Sequence, residues 1–173
     1  MTLLVVLFFV IAYSLKGLRF KEVPFLDSVS SSIHFVGPLV VAAACFGFPA
    51  IAWLPIAAFF LWGIASHAFG AVQDIIPDRV GHLKSIATVF GARAAIWLSV
   101  LFYVISCELV SLLRLPGIVI GAAGLLYVFN ILPYVNVTDK TSAKTNRGWR
   151  RFIWVNYIVG AVVTIVFIRS YFI

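Results

Sequence analysis

The sequence predicts an all-α protein: a polytopic bundle of about six transmembrane helices forming one domain over residues 1–173. Three observations carry this. Mean hydropathy is +1.10. Only 11% of the residues are charged, against roughly 25% in soluble domains. The apolar residues also run in long uncharged blocks, the pattern of membrane spans and not of a water-soluble core.

The blocks define the elements in order. The first, residues 2–15, is short for a crossing, which takes about 20 residues. It lacks the basic leader and small-residue cleavage site of a signal peptide, so it reads as a span that starts abruptly. A charged connection with Lys16, Arg19, Lys21, Glu22 and Asp27 follows. The uncharged block 28–73 is too long for one helix and breaks at Gly47-Phe48-Pro49, which predicts a hairpin of spans 29–46 and 50–69. After a central polar stretch comes a fourth span, 92–112, with a turn marked by Leu115-Pro116-Gly117. The fifth span is 118–132. The polar segment NVTDKTSAKTNRGWRR then leads into the sixth, 152–168.

Charge orients these spans. Every Lys and Arg except Arg114 and Arg169 falls on the connections after spans one, three and five. That asymmetry predicts a cytoplasmic membrane location, those three connections on the cytoplasmic face and Met1 outside. The net charge of +7 therefore reports orientation and anion binding, with no nucleic-acid partner implied. Cys45 and Cys107 lie inside apolar blocks without CxxC spacing, and read as two small core residues.

The polar chemistry centres on residues 66–93, SHAFGAVQDIIPDRVGHLKSIATVFGAR, which holds Asp74 and Asp78. A spacing of four stacks two carboxylates on one helix face, and Pro77 between them favours a helix end. Two like charges one turn apart repel unless a cation sits between them. Mg²⁺ suits that place, since it takes one or two carboxylates together with phosphate oxygens. With Arg79 and Lys84 it would neutralise a diphosphate leaving group. The plainer alternative is that both aspartates cap loops, with Asp78 capping the following helix. Two further connections add Tyr13, Lys16, Arg19 and Lys21, then Asn130, Asn136, Asp139, Asn146 and Arg147, on the same membrane face.

These segments carry a resemblance. QDIIPDRVGHLKSIATVFGAR resembles the second aspartate motif of the UbiA superfamily of intramembrane prenyltransferases. YSLKGLRFKEVPFLDSVSSSIHFVGP is similar to the connection before it, and NVTDKTSAKTNRGWRRFIWVNYIVG to the C-terminal part of the carotenoid branch, the lycopene elongases. The resemblance implies a nine-helix bundle with a lipid-open cavity, of which this chain supplies the last six helices and is incomplete at its N-terminus. It implies Asp74 and Asp78 as Mg²⁺ ligands, and Tyr13, Arg19 and Lys21 as diphosphate contacts. The implied reaction moves a prenyl group from dimethylallyl diphosphate onto lycopene. One departure is large: the family's first motif, of the NxxxDxxxD type, has no counterpart. Two expectations follow: an enzyme completed by a chain supplying the missing helices, or a non-catalytic membrane protein that binds isoprenoids or pairs with a partner.

Smaller candidates have plain readings. His34 precedes Pro38 by four residues and is expected to bond a backbone carbonyl that the proline frees. Glu108, near the outer end of span four, has Arg114 as a candidate partner. The 16 Phe, 6 Tyr and 5 Trp suit packing, interfacial belts and a cavity that stabilises an allylic cation.

Overall fold

A computed structural model describes residues 1–47 and 50–172. The described residues are helical, with no strand among them. The major helices are α1 (Thr2–Ser14), α2 (Leu26–Phe46), α3 (Trp53–Val72), α6 (Ala92–Ser111), α7 (Arg114–Ile131) and α8 (Asn146–Phe172). Between α3 and α6 lie two short helices, α4 (Ile75–Val80) and α5 (Ile86–Phe90). Short 3₁₀ turns occupy Phe20–Glu22, Ala50–Ala52, Leu132–Tyr134 and Asp139–Thr145.

Each expected span is met by a helix, and 5 of them are long and apolar enough to cross a membrane. The exception is α1. Its 13 residues rise only about 20 Å, against a hydrocarbon core of about 30 Å. The protein is thus an integral, multi-pass helical membrane protein.

Helices adjacent in the chain pack as neighbours: α1 on α2, α2 on α3, α3 on α6, α6 on α7, and α7 on α8. The core sits along α3 and α6, where Ala65, Phe69, Val72, Ala95, Ile96 and Tyr103 are buried. With no hydrophobic effect between helices in lipid, close approach and hydrogen bonds must hold them. The α2–α3 pair shows both. Ser32 donates its hydroxyl to the Phe60 carbonyl at 2.6 Å, and a Cβ on Gly63 would overlap that same Ser32 side chain. The outward side of α8 is exposed and apolar, with Ile153, Trp154, Tyr157 and Ile158 on it.

Several expectations are corrected. Phe48 and Pro49, expected to break the hairpin, lie outside the described residues, although α2 does end against Gly47 at φ +81°. The turn before α7 falls at Leu112-Leu113, earlier than Leu115-Pro116-Gly117. Arg114 reverses the chain at φ +62°, and Pro116 is accommodated in the first helical turn, where its missing N–H has no partner to lose. His34 donates its Nδ1–H to the Ser30 carbonyl, 2.7 Å away. That carbonyl is one turn back along α2; the one Pro38 frees belongs to His34 itself. Glu108 and Arg114 do not pair, since the ion pairs among the described residues are Arg19–Glu22 and Arg79–Asp139. Cys107 is buried as expected, but Cys45 is exposed near the end of α2.

Candidate functional site

The connections after α1, α3 and α7 meet at one end of the bundle, and named bonds join them. Asp27, at the start of α2, accepts the Ile86 backbone N–H on Oδ2 at 2.9 Å. Asp139 accepts the Ala92 N–H on Oδ1 at 2.7 Å and pairs with Arg79 at 2.8 Å. Asn146 donates to the side-chain carbonyl of Gln73 at 2.6 Å. The convergence expected from charge asymmetry is therefore physical contact.

Asp74 and Asp78 sit within this cluster. Asp74 occupies the N-cap position of α4 without making a side-chain capping bond, and Asp78 lies one turn on, its N–H bonded to the Asp74 carbonyl at 2.9 Å. The capping alternative is thus not realised. The next helix, α5, is capped by Ser85, whose hydroxyl accepts the Thr88 N–H at 3.2 Å while Thr88 Oγ1 accepts the Ser85 N–H at 2.7 Å. Partial enclosure raises the Asp74 carboxyl above its ordinary range, with the Gln73 side chain acting in the opposite sense. Asp78 is also raised, first by desolvation and then by the negative charge of Asp74. The two carboxylates therefore feel each other, and among the described residues neither has an ion-pair partner. That donor set fits one small hard cation completed by phosphate oxygens. It is a pair, and no group of three His, Cys, Asp or Glu ligands occurs among the described residues.

The basic and phenolic candidates divide. Arg79 is engaged: besides Asp139, it donates from both Nε (3.3 Å) and a terminal nitrogen (2.8 Å) to the Thr88 carbonyl. It holds α4 against α5 and the last connection. Lys84 is exposed on the loop after α4, and Lys21 is exposed on the first connection. Arg19 pairs with Glu22 on that connection. Tyr13 is half-buried on α1, its ring edge-on to His34 with centroids 5.0 Å apart.

Beneath the polar end the helices enclose a largely apolar cavity of about 500 Å³, lined by Trp62, Tyr103, Cys107, Tyr127, Asn156 and Val163 among others. Asp74 and Asp78 are not part of its wall. Aromatic rings stand around its inner end. Tyr103 stacks on Tyr127 at 5.2 Å, and Trp62 on Phe152 at 5.9 Å. Tyr127 donates to Asn156 Oδ1 at 2.8 Å, and the Tyr103 and Ser66 hydroxyls lie 3.0 Å apart, while the buried Trp62 Nε1 has no partner among the described residues.

Sequence reasoning passed over one group, made by buried Asp27 and Ser28 with partly buried His67. The Ser28 hydroxyl lies 3.2 Å from Asp27 Oδ1 and 3.1 Å from His67 Nδ1. A signal for His67 existed: a histidine in an otherwise apolar helix, two turns before Asp74 and on its side. Asp27 offered none, because its partner is 59 positions away.

Fold and site together describe a multi-pass helical membrane protein with paired carboxylates and basic groups at one end and an apolar cavity beneath. The chain belongs to the UbiA prenyltransferase family, whose profile matches residues 1–157. It is 50% identical over 161 residues to a lycopene elongase/hydratase of Corynebacterium glutamicum, covering 92% of this chain and 56% of that protein. It is 48% identical over 161 residues to the C(50) beta-cyclic carotenoids biosynthesis protein LbtBC of Dietzia sp., covering 91% of this chain and 37% of that protein. A lycopene elongase/hydratase of Haloferax volcanii is 29% identical over 158 residues, 91% of this chain and 50% of that protein. The chain thus spans about half the length of most of these curated relatives. No solved structure matches it.

Proposed function

We propose that the chain carries the diphosphate-holding part of a carotenoid prenyltransferase, which moves an allylic group from dimethylallyl diphosphate onto lycopene. The observation that carries this reading is the Asp74–Asp78 pair: two mutually repelling carboxylates at the polar end of the bundle, with no ion-pair partner among the described residues and with exposed Lys84 on the loop that follows their helix. Relatives named lycopene elongase/hydratase support the acceptor class. The location goes with it: the cytoplasmic membrane, with the polar end on the cytoplasmic face, by the distribution of Lys and Arg.

The residues present fit Mg²⁺, which Asp74 and Asp78 would hold; once bound, it supplies charge neutralisation to the departing diphosphate. Lys84, Lys21, Arg19 and Tyr13 are the candidates for contact with phosphate oxygens, where fixed positive charge and hydroxyl donors stabilise the charge that grows as the C–O bond breaks. Arg79 acts mainly by holding the aspartate helix in place through Thr88 and Asp139. The aromatic faces at the cavity's inner end favour a cationic intermediate and keep water from it.

The experiment is Asp74→Ala in a full-length protein expressed in lycopene-accumulating cells. Elongated product should fall by about two orders of magnitude or more; undiminished product formation defeats the reading.

A second reading is a non-catalytic isoprenoid binder, or one half of a split pair. The specific observation in its favour is that the described residues assemble two carboxylates and no third metal ligand beside them. On this reading the unsubstituted chain binds the polyene but releases no diphosphate, either alone or with a chain that supplies further helices.

A further inference from the structure

A polar side chain between membrane helices requires a partner or has a task. Where the start of α2 meets α3, three such groups touch. Asp27 has no exposed surface. Its Oδ1 accepts the Ser28 N–H at 2.7 Å and the Ser28 hydroxyl at 3.2 Å, while Oδ2 accepts the Ile86 N–H at 2.9 Å. The same Ser28 hydroxyl lies 3.1 Å from His67 Nδ1.

A hydroxyl has one proton to give. With that proton directed to the buried carboxylate, His67 must donate its Nδ1–H to Ser28 Oγ. The tautomer is then fixed, and Nε2 is left as an unprotonated lone pair. Among the described residues no hydrogen-bond partner meets Nε2. His67 precedes Asp74 by two helical turns, so it stands on the same side of α3, roughly 10 Å deeper in the bundle. Hydrocarbon running down α3 from a diphosphate at Asp74 and Asp78 would pass the level of His67 before reaching the aromatic cavity at Trp62, whose wall includes neither His67 nor the two aspartates.

We infer that His67 is the base that takes the proton lost after the new carbon–carbon bond forms, with Ser28 and Asp27 as positioning residues that fix its tautomer and stabilise its charged form. This rests on the prenyl-transfer reading above. In the step, the allylic C–O bond breaks and its electron pair leaves with the diphosphate. The acceptor's π pair forms the C–C bond and leaves a cation on the adjacent carbon. The neighbouring C–H pair closes a double bond, and its proton passes to Nε2. The imidazolium then gives that proton up to water, so the balance is allylic diphosphate plus acceptor C–H giving prenylated acceptor, diphosphate and a proton. Capture of the same cation by water gives a hydrated product instead. His67 therefore governs the partition between the two endings.

The test uses the full-length protein in membranes, with lycopene and dimethylallyl diphosphate, and reads diphosphate release and the ratio of deprotonated to hydrated product by mass spectrometry. His67→Gln keeps a hydrogen bond to Ser28 but cannot take the proton. It is expected to lower the deprotonated product about tenfold more than it lowers diphosphate release. Ser28→Ala, which unfixes the tautomer without touching the imidazole, should move the ratio the same way and serves if His67→Gln does not fold. An unchanged ratio in a folded His67→Gln, or in Ser28→Ala when the first variant does not fold, overturns the inference. So does a parallel loss of release and product at constant ratio, which marks a structural role. If Asp74→Ala leaves diphosphate release unaltered, the transfer reading itself is what fails.

Discussion

Arg79 and Asp139 meet at 2.8 Å and so tie the aspartate helix α4 to the connection that follows α7. The same carboxylate caps α6 through the Ala92 N–H at 2.7 Å. An exposed ion pair contributes at most about 1 kcal/mol, whereas a lost cap costs about 1 kcal/mol on its own. Arg79→Ala also loses its two bonds to the Thr88 carbonyl, but these are exposed, so Asp139→Ala should still destabilise more, by about 1–2 kcal/mol against about 1. Thermal unfolding in detergent measures the order, and equal losses would mean the cap is energetically silent.

Asp27→Ala should be the costlier change. It strands the Ile86 and Ser28 N–H groups, which the carboxylate serves at 2.9 and 2.7 Å in a fully buried site. Leaving buried donors unsatisfied costs about 1–3 kcal/mol each. Faster proteolysis of the loop at α5 would register the loss, and wild-type resistance there would contradict it.

Glycines separate close packing from open space. Gly63→Ala would push a methyl into Ser32 and break its bond to the Phe60 carbonyl; overpacking of this kind costs about 1–3 kcal/mol. Gly160→Ala meets nothing within 4 Å, and helix propensity favours alanine by up to about 1 kcal/mol. Melting temperatures of the two variants should move in opposite directions.

The carboxyls of Asp74 and Asp78 are raised in the folded protein. The folded state then holds protons more tightly than the unfolded one, so metal-free stability falls as pH rises from the ordinary carboxylate pKa through the raised values. Asp78→Asn removes the repulsion and should stabilise the metal-free protein near neutral pH, by less than about 1 kcal/mol in so exposed a setting. Metal affinity follows the opposite rule: ionised carboxylates are needed, so Mg²⁺ binding should weaken as pH falls into the raised range and be lost in Asp78→Asn. Calorimetric titration across pH checks both signs, and a variant that keeps full Mg²⁺ affinity argues against the assigned ligands.

The spans were legible because an uncharged block has one reading in lipid, and helix limits such as Ala92 for α6 agree with it. The start of α7 was not, because proline and glycine mark turns and also fit first helical turns; Arg114 at φ +62° decides between them. At the polar end, Asp74 and Asp78 stood out by local spacing. Asp27 and Asp139 did not, since each acts on a backbone N–H 59 or 47 positions away, and no short-range pattern encodes that.

The helix cap lent to α6 by Asp139 bears on biogenesis. Gly91, at φ +82°, opens α6 without a side chain of its own to offer. During synthesis, α6 must enter the bilayer with that end unfinished, and it is completed only after α7 has threaded back and the ribosome has delivered the next polar segment. The locking of the polar end is therefore a late event, following membrane insertion instead of accompanying it.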